Sequence, residues 1–118
     1  MGFLRNRVKA FKHAIDGLLS AFSGETHLKI HLNAAVIVMI LGFFYKISVN
    51  EWFAVLTCIA LVICLELINS AIEILCNLVH PEHSSRVKYI KDVAASAVLL
   101  AAIFSVVVGA YIFFPKIF

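Results

Sequence analysis

Glu66, Asn69, Ser70 and Glu73 stand at positions i, i+3, i+4 and i+7, which on an α-helix puts all four on one face. Asn77 extends that face by another turn. Carboxylates with an amide beside them can hold a cation, pass a proton along, or take one from a hydroxyl. Glu66 and Glu73 are separated by about 10 Å along a helix that rises 1.5 Å per residue. That is too far to share one proton or one metal ion, so the two acids have different tasks. Their setting makes the point sharper, because Trp52–Leu65 is an uncharged stretch leading straight into them. An acid at the centre of a bilayer costs roughly 2.5–3.5 kcal/mol. A helix that carries two of them either satisfies them as hydrogen-bonded glue between helices or uses them.

The elements that must position this stripe are apolar. Of the 118 residues 63% are hydrophobic and only 14% charged, where a soluble domain has about a quarter charged. About 20 apolar residues are needed to cross hydrocarbon as a helix, and three segments qualify. They are His31–Val49, interrupted only by Lys46, then Glu51–Leu78 with the glutamates, and Val93–Phe114, which has no charge at all. Residues 4–22 read as an amphipathic helix. Val8, Phe11, Ile15, Leu18 and Phe22 step by three and four, with Arg5, Arg7, Lys9, Lys12 and Asp16 between them. A basic, aromatic helix of this kind lies in the plane of a membrane surface. Ser23-Gly24 breaks it, and residues 25–29 form a polar junction before the first span. Pro81, Ser84 and Ser85 mark the stop between spans two and three, and Asp92 falls in the first turn of the last helix. The reading is one all-α membrane domain over residues 1–118: a surface helix and three transmembrane helices.

Eight of the ten basic residues precede span one or lie between spans two and three, leaving only Lys46 and Lys116 on the other side. By the positive-inside rule the amino terminus is cytoplasmic. The net charge of +3 is therefore an orientation signal. No basic groove with interleaved aromatics is present, so nucleic acid is not an expected partner. Cys58, Cys64 and Cys76 all fall in span two without paired metal spacing, and read as small packing residues.

With this orientation Glu73 is nearer the cytoplasm, within reach of a hydrated metal, and Glu66 lies two turns deeper, where a lipid head group can meet it. Lys88, Lys91 and Asp92 face this helix end across a short loop, and Glu25 and Lys29 join them at the same interface. Mixed acids and bases suit an anionic substrate with its metal, carboxylates holding Mg²⁺ while lysines neutralise phosphate oxygens. Taken singly, each loop lysine reads as a positive-inside charge. The five glycines at 2, 17, 24, 42 and 109 allow neither a P-loop nor a dinucleotide fingerprint. His13, His27, His31, His80 and His83 are scattered and read as interfacial side chains.

The run Glu66-Leu67-Ile68-Asn69-Ser70-Ala71-Ile72-Glu73, followed by Lys91-Asp92-Val93-Ala94-Ala95-Ser96-Ala97-Val98-Leu99-Leu100, closely resembles the prokaryotic diacylglycerol kinase family, which includes undecaprenol kinases. The likeness covers nearly the whole chain. It implies a small homotrimeric membrane enzyme of the bacterial cytoplasmic membrane, with sites between subunits, that phosphorylates a lipid alcohol with MgATP. By position, the resemblance makes Glu66 the general base and Glu25 and Glu73 the acids that hold Mg²⁺. Asn69, Lys91, Asp92 and Lys29 become nucleotide and phosphate contacts, and Glu66, Ser70 and Ala95 border the lipid. Asn77 departs from the family, where many members have aspartate, which weakens a nucleotide role there. Lys29 replaces a frequent arginine, keeping the charge without its bidentate geometry.

The leading expectation is thus an ATP-dependent lipid kinase acting on diacylglycerol to give phosphatidic acid, with undecaprenol as the alternative acceptor. Two readings from other classes stay beside it: a non-catalytic membrane assembly subunit, and a small transporter with Glu66 and Glu73 as a proton relay. No inverted repeat supports the transporter.

Overall fold

In the computed structural model, which describes all residues 1–118, four helices follow one another: α1 Gly2–Gly24, α2 Thr26–Phe44, α3 Val49–Val79 and α4 Ser85–Ile117. The last three are long and apolar enough to cross a membrane. At 1.5 Å per residue α3 and α4 run about 46 and 50 Å, well beyond a hydrocarbon core of roughly 30 Å. They pack along each other, α2 lies against α3, and α1 touches little beyond α2.

The molecule measures 50 × 48 × 21 Å. Three packed helices, each about 10–12 Å across, account for the long and short dimensions. The second comes from α1, which leaves the bundle and has no buried residue. Only 13 of the 118 residues are buried, while Phe43, Phe53, Leu100, Val106 and Tyr111 are all exposed. Such a surface is stable only where apolar solvent or protein covers it.

Several helix limits differ from those read in the sequence. The first span begins at Thr26 and ends at Phe44, where the sequence suggested 31–49. The polar junction shrinks to Glu25 alone, in extended backbone, since Thr26 to Ile30 accept helical geometry despite their polarity. At the other end, the α2 terminus folds as a Schellman turn. Lys46 N–H donates to Phe43 O at 3.4 Å and Ile47 N–H to Gly42 O at 3.1 Å. Lys46 takes φ 52°, the position usually filled by glycine. The next helix then starts with a reciprocal cap: Glu51 N–H donates to Ser48 Oγ at 3.2 Å, and Ser48 N–H to Glu51 Oε1 at 2.9 Å. The last helix starts eight residues before the uncharged segment, so Asp92 is in its third turn and does not sit at the helix end as expected.

The core lies at the end of the bundle holding this turn. Ile47, Val55, Ile112 and Phe113 cluster there, with Trp52 and Tyr45 against them. Beside them Lys116 Nζ donates to Glu51 Oε2 at 2.9 Å, tying the tail of α4 to the head of α3. Nothing in the sequence spacing announces that pair.

Candidate functional site

The polar stripe of α3 runs from buried to open. Glu66 is 4% exposed and Ser70 8%, Asn69 is half-buried, and Glu73 and Asn77 face outward. The apolar periodicity of α3 turns the stripe's first half into the bundle, because Val55, Cys58 and Val62 continue the same inner face. The two acids therefore differ in environment as strongly as any pair in the chain.

Helix α2 meets the buried acid from the side. His31 Nε2 stands 3.8 Å from Glu66 Oε2, the histidine side chain being 24% exposed. This contact escapes sequence reading, since no local pattern pairs residues on different helices. Leu28, one turn earlier on α2, is fully buried and anchors that end of the helix. Glu25 is half-buried at the joint between α1 and α2, and Lys29 is exposed.

The start of α4 folds back on the end of α3. Lys91 Nζ donates to Asn77 Oδ1 at 2.6 Å. Lys91 thus reaches the glutamate face, as its position suggested. Lys88 and Asp92 pair with each other at 2.6 Å on the exposed surface of α4, with no hydrogen bond to the glutamate helix. Ala95 is exposed one turn further on.

No three His, Cys, Asp or Glu side chains converge as a metal cage. Glu25 and Glu73 take part in none of the chain's ion pairs, so both carboxylates have their oxygens free. Magnesium is commonly held by one or two carboxylates together with substrate phosphates. Two unpaired carboxylates fit the share a protein gives to a cation held mainly by other ligands, and do not make a cage for a resident, fully protein-bound ion.

A groove of about 500 Å³ runs between α2, α3 and α4 from His31 to Phe114 and Ile117. Its walls are almost wholly apolar, and His31 is the one ionisable side chain on its lining apart from the thiol of Cys58. The three cysteines are free.

Residues 12–113 match the family described as prokaryotic diacylglycerol kinase. The chain is similar to an undecaprenol kinase of Bacillus subtilis, 37% identical over 92% of this chain and 89% of that protein. It is also similar to a diacylglycerol kinase of Synechocystis, 32% identical over 95% of this chain and 65% of the relative. A diacylglycerol kinase of Haemophilus influenzae is 30% identical over 94% of this chain and 95% of its own length.

Proposed function

The chain belongs to the prokaryotic diacylglycerol kinase family, and from that premise we propose that it transfers the γ-phosphate of MgATP to the hydroxyl of a membrane lipid alcohol. The observation that carries the reading is the carboxylate of Glu66, 4% exposed inside an apolar helix, on a stripe that opens to Glu73. A buried acid next to hydrocarbon can meet a hydroxyl rising from the bilayer, and an exposed one can meet a nucleotide coming from water.

In this mechanism Glu66 takes the proton of the lipid hydroxyl as that oxygen forms its bond to the γ-phosphorus. The bond from the γ-phosphorus to the bridging oxygen breaks, and ADP leaves with the electron pair. Phosphoryl transfer asks mainly for positioning and charge neutralisation. Lys91 and Lys29 supply positive charge to the phosphates, while Asn69 and Asp92 orient the nucleotide. Asn77 acts through Lys91, whose ammonium it holds. Glu25 and Glu73 carry the metal, which when bound neutralises phosphate charge. Ser70 and Ala95 border the lipid.

The wider setting follows the same reading. The amino terminus lies on the cytoplasmic side of a bacterial membrane, as the basic residues indicate, and α1 rests on that surface. Three copies complete the sites between subunits, consistent with the large exposed apolar area of one chain. For the acceptor, 37% identity to the relative named for undecaprenol against 32% and 30% to those named for diacylglycerol favours a polyprenyl alcohol. Diacylglycerol is the second reading, carried by two relatives' names.

The test is purified protein in mixed micelles with radiolabelled ATP, offered undecaprenol and diacylglycerol in parallel. Label is expected in lipid, and more in undecaprenyl phosphate than in phosphatidic acid. Label in neither product overturns the kinase reading, and the reverse order overturns the acceptor.

A further inference from the structure

We propose that His31 is a positioning residue for phosphoryl transfer, one that sets the orientation of the Glu66 carboxylate from the neighbouring helix. The inference rests on the kinase reading above and names a residue which that reading does not use.

Three observations converge on it. The imidazole Nε2 is 3.8 Å from Glu66 Oε2, the nearest charged or chargeable partner the acid has. Glu66 makes no side-chain hydrogen bond within α3, so no polar contact on its own helix orients its carboxylate. And His31 lines one end of the apolar groove between α2, α3 and α4. It therefore stands between the buried carboxylate and the space an apolar chain can enter.

A separation of 3.8 Å is longer than a hydrogen bond. Polar contacts around a base are often long without substrate and tighten in the complex. An N–H directed at Oε2 leaves Oε1 to face the lipid hydroxyl. It also fixes the plane of the carboxylate, and a misplacement of about 1 Å at such a base costs on the order of a hundredfold in rate. The groups around the pair are few. Leu28 and Ala35 flank His31 on the inner face of α2, and Val62 and Ser70 flank Glu66 on α3, so no other ionisable side chain is buried there to replace the imidazole.

The experiment compares the full-length protein with His31→Ala, His31→Gln, Glu66→Gln and the His31→Ala/Glu66→Gln pair in the micelle assay. His31→Ala is expected to lower kcat about tenfold to a hundredfold while KM for ATP stays within twofold. His31→Gln, whose amide keeps an N–H, recovers most of that loss. The double variant is no slower than Glu66→Gln alone, because a residue acting through the base has nothing left to act on. A His31→Ala variant with the original kcat overturns the proposal. So does a double variant slower than Glu66→Gln by the full factor of His31→Ala, which marks a merely structural or independent role. If the unsubstituted protein labels no lipid at all, the failure belongs to the kinase reading, a result distinct from either of these.

Discussion

Lys91 Nζ and Asn77 Oδ1 meet at 2.6 Å, joining the start of α4 to the end of α3 across fourteen residues. The amide accepts from the ammonium, so Lys91 keeps its full charge while losing freedom of position. A lysine held this way is prepared for an anion. A hydrogen bond to a charged group contributes about 1.5–3 kcal/mol at most, and some of that would be returned if phosphate takes the same ammonium, as proposed above.

Asn77→Ala is therefore expected to raise KM for ATP about fivefold or more with little change in kcat. Asn77→Asp, which keeps an acceptor and adds charge, should leave KM near the original. Steady-state kinetics in micelles decide it. An unchanged KM in Asn77→Ala removes Asn77 from the path to the phosphates.

Glu66→Gln preserves shape and removes the proposed base. General base catalysis is worth about 10²–10⁴ in rate, so turnover should drop by at least about a hundredfold. Nucleotide affinity, measured by equilibrium binding of an ATP analogue, should be unaltered. Lost binding with ordinary residual turnover reassigns the base.

If Glu73 holds the metal as proposed, Glu73→Gln removes one oxygen ligand from an ion with few protein contacts. The Mg²⁺ concentration giving half-maximal activity should rise several-fold, while activity at saturating Mg²⁺ recovers in part. A metal titration that superimposes on the original moves the ligand elsewhere.

Gly42→Ala tests the turn end of the bundle. A Cβ there would lie 2.7 and 2.9 Å from the Trp52 ring and 3.1 Å from Ile47 Cδ1. Trp52 packs tilted against Phe43, so the indole cannot simply swing away. Overpacking of this kind costs about 1–3 kcal/mol. Reversible unfolding in mixed micelles should show that loss, and a change below about 0.3 kcal/mol would mean the ring relocates freely.

Lys46→Gly acts in the opposite direction. Lys46 holds φ 52°, a left-handed conformation that costs an L-residue roughly 1–2 kcal/mol. Glycine removes that cost and adds freedom to the unfolded chain, so a net gain of about 0.5–1 kcal/mol is expected in the same unfolding assay. Lys46→Val, branched at Cβ, should lose stability.

The three apolar helices and the shared face of Glu66, Asn69, Ser70 and Glu73 were legible in the sequence because each depends on short-range periodicity. Helix ends were less so. Ser48 and Glu51 carry the spacing of a capping box and fix the start of α3, yet the apolar Ile47 and Val49 on either side of Ser48 hide it. The Thr26–Lys29 stretch reads as a junction by polarity, although polar residues helicalise readily when α2 continues beyond them. The contacts of His31 with Glu66, and of Lys116 with Glu51, depend on how helices pack. Residues that far apart share no local pattern. Lys91 was placed near the glutamate face by its loop position, but only the packing separates it from Asp92, which turns to Lys88.

Glu25 is the single residue between α1 and α2, at φ −97° and ψ 116°. Its N–H donates to Ala21 O at 2.9 Å and its carbonyl accepts from Lys29 N–H at 3.2 Å, so it is bonded into both helices. Mechanically it is a knuckle. The lever attached to it is α1, a rod of about 35 Å that carries no buried side chain. A rotation of that rod about the joint turns the same Cα that bears the Glu25 carboxylate, so the direction of α1 and the direction of that carboxylate are set by one pair of backbone angles.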